Sequence, residues 1–182
     1  MTFRLPSERV MEMKIVTGPI AMALPGWCLE GPGVTGIVAG DGNGRPEVLT
    51  AQLIAGAAVS GVRTLLLPVD RENDPVWMHL VQLLAGGDRK AAGQALRHLP
   101  MAVHAAGTGM DKLAGAGLVY APAVTGRELR QMKEKTQAPV LVPSEDGANE
   151  VIRVCGDTVS LDSIGCEIPV VLDLGGLMYR AA

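Results

Sequence analysis

Val34-Thr35-Gly36-Ile37-Val38-Ala39-Gly40-Asp41-Gly42-Asn43-Gly44-Arg45-Pro46-Glu47 decides how this chain is read. Gly36 to Ala39 has the look of a short apolar strand, Gly40 to Arg45 of a glycine-rich loop, and Pro46-Glu47 of a helix start. Proline suits the first helical position because its missing N–H would be unpaired there anyway, and Glu47 suits the positive end of the helix dipole. A glycine-rich turn between a strand and a helix presents unpaired first-turn amides, which favour an anion. The helix from Pro46 to about Ser60 is apolar almost all round, interrupted only by Thr50, Gln52 and Ser60. A surface helix has one apolar stripe, so this one must be covered on more than one side, by the rest of the domain or by a second subunit. Gly61 follows at the position where a helix commonly ends in glycine.

Working outward, Arg63 to Asp70 carries a continuous apolar run, the pattern of a parallel strand buried on both faces. Asp74-Pro75 opens another helix with Val76, Trp77, Leu80, Val81, Leu83 and Leu84 inward. Gly86-Gly87-Asp88 breaks it, and a shorter helix runs to about Leu99. Met101 to Ala105 reads as a strand and Thr108 to Gly115 as one helical turn. Leu118 to Val124, Arg127 to Gln137 and Ala138 to Val142 form a strand–helix–strand unit, with Leu129 and Met132 inward, and such a unit pairs its strands in parallel. The last third changes character. Val151 to Val154, Asp157 to Leu161 and Ile168 to Leu174 have only short turns between them, which predicts an antiparallel edge or meander. Upstream, residues 1–12 read as a loose leader and Met13 to Thr17 as a strand. Gly18 to Gly33, with Pro19, Pro25, Pro32 and Trp27, reads as an ordered loop.

The expected fold is therefore α/β: one domain over residues 1–182, with an open, mostly parallel, Rossmann-like sheet. Helices lie on both faces in three layers, and residues 150–182 form a β-rich tail with antiparallel edge strands. The composition fits. Of 182 residues, 48% are hydrophobic and only 3% aromatic, so the core is built of aliphatic and small side chains. A net charge of −3, with no run of Lys and Arg, leaves no basic footprint for nucleic acid. No apolar run approaches the roughly 20 residues of a membrane span, and the acidic residues of the leader argue against a signal peptide. Cys28, Cys155 and Cys166 are an odd number at spacings that match no zinc template, as free thiols in a reducing compartment are. The expected location is cytoplasmic.

In open α/β sheets ligands bind beyond the carboxyl ends of the strands. Four polar groups follow successive strands and should share that rim: Asp41 to Arg45, Asp70 with Arg71, Thr125-Gly126-Arg127, and Ser144-Glu145-Asp146. Gly42, Asn43 and Gly44 would offer amides to phosphate or carboxylate, with Arg45 as a bidentate cation. Asp70 and Arg71 suit a hydroxyl, and Arg127 an acid group. Thr125 alternatively caps a helix. The loop is neither the G-x-G-x-x-G fingerprint nor a P-loop. Asp41-x-Asn43 starts like a calcium loop, but Pro46 and a helix follow where further ligands belong. Gly40 to Glu47 resembles locally the Gly-Asp-Gly-Ile-Gly-Pro-Glu segment near the start of isocitrate- and isopropylmalate-type decarboxylating dehydrogenases. Asn43 replaces the apolar residue and Arg45 is inserted. That resemblance spans eight positions and implies shared turn chemistry, with no catalytic residue carried over.

No nucleophile stands out. Gly-x-Ser-x-Gly is absent, and His79, His98 and His104 read as core or surface residues. Cys166 lies in a turn, and Glu145-Asp146 reads as a solvated turn or an acid/base or metal pair. The sequence thus points to a cytosolic α/β enzyme or binding protein for a small anionic metabolite, phosphorylated ones included. The alternative is a non-catalytic homo-oligomeric scaffold, regulatory or accessory subunit, joined through helix 46–60. It names no reaction, cofactor or metal.

Overall fold

The computed structural model of the chain describes Leu29 and residues 32–67, 70, 72–85, 89–104, 110–124, 126–173, 175 and 178–182. The leader 1–12, the expected strand Met13 to Thr17, Cys28, Arg71 and Thr125 lie outside the described residues. In chain order the elements are β1 (Val34–Ala39), α1 (Pro46–Val59), β2 (Thr64–Leu66), α2 (Pro75–Ala85), α3 (Arg89–His98) and β3 (Met101–Val103). A 3-10 turn (Met110–Lys112) leads to β4 (Leu118–Tyr120), α4 (Gly126–Lys135) and β5 (Val140–Val142). Then come β6 (Glu150–Val154), β7 (Thr158–Leu161), β8 (Cys166–Leu172) and β9 (Tyr179–Ala181).

All nine strands join one sheet in the order β3-β2-β4-β5-β1-β6-β7-β8-β9. The strands from β3 through β6 pair in parallel, and β7, β8 and β9 continue it antiparallel. This is the fold class that the alternation of elements predicts. The order departs from the 3-2-1-4-5-6 of dinucleotide-binding sheets, because β1 lies between β5 and β6 and not beside β2.

Two apolar clusters define the layers. One gathers Ile37, Leu66, Tyr120, Leu141 and Ile152 of the sheet with α1, α2 and Ala92 of α3. The other gathers Val34, Leu65, Val119, Val140 and Val142 with Leu113 and with Leu129 and Met132 of α4. Alternate residues of each parallel strand thus face opposite layers, which is why β2, β4 and β5 are buried at every position. In the antiparallel part only one face is covered. Ile152, Val154, Val159, Leu161, Ile168 and Val170 point inward, while Arg153, Ser160, Glu167 and Val171 alternate with them on the outside.

The all-round apolar character of α1 is explained within the chain. It packs against α2, the sheet lies beneath it, and β9 closes over its remaining flank. Buried Gln52 makes that last contact. Its Nε2 donates to the Tyr179 carbonyl (3.1 Å), and its Oε1 accepts the Tyr179 N–H (3.0 Å). One side-chain amide therefore plays the part of a next strand along the outer edge of β9. Gly61, at φ +83°, ends α1 in a Schellman arrangement. The Gly61 and Val62 amides donate to the carbonyls of Ala58 and Ala57.

One expectation is corrected. Val151 to Val154 reads as part of an antiparallel tail, and β6 does pair antiparallel with β7, but its other edge makes it the sixth parallel strand, paired with β1 from Thr35↔Glu150 to Ala39↔Val154. The link from β5 to β6, residues 143–149, crosses over β1 without a helix. Such crossovers ordinarily take a dozen residues or more. The short path exists because Gly36 has no side chain: a Cβ there would collide with the carbonyl oxygen of Ser144. Asn149 fastens the far end, accepting the Val34 N–H on Oδ1 (2.9 Å) and donating its own N–H to the Val34 carbonyl (2.7 Å).

Candidate functional site

At the carboxyl ends of β1 and β4, where α1 and α2 begin, the chain leaves a cavity of about 440 Å³. The chain leaves β1 and β2 toward one helical layer and β4 and β5 toward the other, so strands adjacent in the sheet diverge here and open a crevice. Pro46, Pro75, Pro122 and Pro143, with Ile37, Val38, Ala39, Val76 and Ala123, form its apolar wall. Among the described residues its polar groups are Glu47, Thr50, Asp70, Asn73, Asp74 and Tyr120.

Each of these is placed by local chemistry. Asp74 precedes Pro75 and caps α2, accepting the Trp77 N–H on Oδ1 (2.9 Å). Its carboxylate is buried, and the Tyr120 hydroxyl donates toward Oδ2 at 3.3 Å and Oδ1 at 3.5 Å. Burial, then the adjacent Asp74 charge, pushes the Tyr120 phenol well above its ordinary range, so it remains a proton donor. Exposed Asp70 folds the turn before α2. It accepts the Glu72 N–H (3.1 Å) and the Asn73 side-chain amide (2.9 Å), and the Asn73 bond is the main reason its pKa lies below normal. Thr50 donates to the Pro46 carbonyl (2.8 Å), and Glu47 pairs with Arg45 (2.8 Å).

The expected rim groups separate into distinct places. Asp70 reaches the cavity. Asp41, Gly42, Asn43, Gly44 and Arg45 are not among its lining residues. That loop instead leans on the β6–β7 turn. The Gly40 N–H donates to the Val154 carbonyl (2.9 Å), a Cβ on Gly40 would meet Cys155 Sγ, and a Cβ on Gly44 would collide with the Val154 carbonyl. The Arg45 N–H is taken by the Tyr179 hydroxyl (3.0 Å). Gly126 opens α4 and lines a second cavity of about 340 Å³ with Leu129, Arg130, Lys133 and Gly147, while Arg127 is exposed on the first turn. Ser144 accepts the Asp146 N–H on Oγ (3.1 Å) within the crossover. Glu145 is engaged by Arg153 in a bidentate pair (2.7 and 2.9 Å), and Asp162 joins from the hairpin (3.0 Å). That hydrogen bonding holds the Glu145 pKa below its usual value.

Sequence reasoning missed Tyr120, Thr50, Asn73 and the role of Asp74. A signal existed for two of them. Asp-Pro before an apolar helix marks a capping carboxylate, and a tyrosine inside a doubly buried strand needs a partner for its hydroxyl. Cys155 and Cys166 are free and half-buried. Among the described residues no cluster of His, Cys, Asp and Glu is arranged to hold a metal, and no helix is long and apolar enough to cross a membrane. No protein-family model matches the chain, and no curated protein matches it in sequence.

Proposed function

We propose that this protein binds a small polar metabolite in the cavity between β1, β4 and the first turns of α1 and α2. The observation that carries this reading is the coincidence of place and lining. A concave site at the carboxyl ends of parallel strands, mostly apolar with a few convergent polar groups, is the usual form of a metabolite site. The same lining bears on the ligand's charge. The anion expected from Gly42 to Arg45 would have to bind outside the cavity. Within it, Glu47 and Asp74 already occupy the positive ends of α1 and α2. An uncharged ligand fits that balance better than a phosphate. One support of the homo-oligomer alternative is the apolar circumference of α1, most of which the chain itself covers.

The test is thermal unfolding against a panel of polar metabolites, with inorganic phosphate included. A ligand at a hundred times its Kd adds about 2.7 kcal/mol, which raises Tm on the order of 5–10 °C for a chain of this size. Ala123→Trp, at an exposed position on the cavity wall, should abolish the rise. A rise that survives in the Trp variant places the ligand elsewhere and refutes the assignment.

A further inference from the structure

We propose that the occupant of this cavity is a polyhydroxylated ring, a free sugar or the ribose of a nucleoside, one of whose hydroxyls bridges Asp74 and Tyr120. The inference rests on the cavity being the binding site and adds the class of ligand. Asp74 is only 8% exposed, yet Oδ2 receives a single bond, from Tyr120, at 3.3 Å. A hydroxyl–carboxylate bond in good order spans about 2.5–3.0 Å. Oδ2 of this buried, cavity-lining carboxylate is thus under-supplied with donors.

A ligand hydroxyl answers both groups at once. It donates to Oδ2 and accepts the Tyr120 proton, which burial keeps on the phenol oxygen. An ammonium has no lone pair to accept that proton, and the carboxylate charge is already met by the α2 N-terminus. Further hydroxyls reach acceptors on Asp70, Asn73 and Thr50 around the same wall. The four proline rings offer flat C–H surface for the apolar face of a sugar ring.

The experiment is titration of the ¹⁵N-labelled protein with D-ribose, D-glucose, adenosine, 2′,3′,5′-trideoxyadenosine, tetrahydropyran and inorganic phosphate, following the amides of Ala39, Asp74 and Ala123. At least one hydroxylated probe should shift them saturably, with 2′,3′,5′-trideoxyadenosine or tetrahydropyran at least tenfold weaker than its hydroxylated counterpart. Response to ribose or glucose identifies a free sugar, and response to adenosine alone identifies a nucleoside. Tyr120→Phe should weaken that probe at least tenfold. Asp74→Asn, which keeps a capping oxygen for Trp77, should do the same while the amide spectrum stays folded. Equal binding of the hydroxyl-free counterpart, phosphate as the only ligand, or indifference to both substitutions overturns the ligand class and leaves the site standing. Silence of the three amides to every probe overturns both.

Discussion

Replacing Gln52 by Met tests whether a single side-chain amide holds β9 over α1. The thioether matches the glutamine in length and fills the same space but can neither donate to the Tyr179 carbonyl nor accept its N–H. Each buried backbone group left without a partner costs about 1–3 kcal/mol, so two set an upper bound of roughly 6 kcal/mol. Lifting of β9 lets water reach part of the exposed edge, and the expected loss is about 2–3 kcal/mol. With a urea m-value of about 2–3 kcal/mol/M, the midpoint should fall by about 1 M with little change in slope. Unfolding curves followed by far-UV circular dichroism measure this, and hydrogen exchange at the Tyr179 amide locates it. Gln52→Glu should cost at least as much, because a carboxylate accepts the N–H but leaves the carbonyl unmet and buries a charge. A Met variant within about 0.5 kcal/mol of the parent, with the Tyr179 amide equally protected, would refute the claim.

Gly36→Ala should destabilise by about 1–3 kcal/mol or more, because its Cβ meets backbone of the crossover, which cannot rotate away. Gly93→Ala in α3 is the counterpart: nothing lies within 4 Å of its Cβ, and urea unfolding should show a gain of about 0.5–1 kcal/mol. Glu145 has a folded pKa below its unfolded value, so its contribution is complete above the unfolded pKa and disappears as pH falls through the folded one. Urea midpoints measured from pH 7 down to pH 3 should fall less steeply in Glu145→Gln than in the parent. Both tyrosines of the chain, Tyr120 and Tyr179, are raised above their ordinary pKa, in each case mainly by burial. Their stabilisation is complete below about pH 10 and is lost at higher pH. Absorbance of tyrosinate at alkaline pH should therefore stay low in the native protein up to the pH of unfolding, while the urea-unfolded chain titrates near pH 10.

The local rules that place α1 and α2 are written in Arg45-Pro46-Glu47, Gly61 and Asp74-Pro75: α1 begins and ends, and α2 begins, where those residues direct. Leu129 and Met132 face inward as their spacing requires. Strand lengths were harder to read. Arg63 to Asp70 is apolar nearly throughout, yet among the described residues the strand itself spans only Thr64–Leu66, because hydrophobic pattern records burial and not pairing. The partner of β1 was not legible at all. Nothing in Glu150 to Val154 says that it pairs in parallel with a strand more than a hundred residues earlier; that depends on Gly36 letting the crossover pass. The same gap explains the site. The loop Gly40 to Arg45 has the composition of an anion cradle, but its close packing on Val154 and Cys155 is a tertiary fact. Asp70 lay on the expected rim, whereas Tyr120 joined it only through the register of β4.

The arrangement around α1 has a cost during synthesis. This helix, apolar almost all round, leaves the ribosome well before β6 and β9, which finish covering it and follow about a hundred residues or more behind. At roughly 5–20 residues per second, that interval is on the order of 5–30 s. For that time a sticky cylinder waits uncovered among its neighbours on a polysome. Nascent chains stalled before β6 should therefore recruit holding chaperones, and those released after β9 should not.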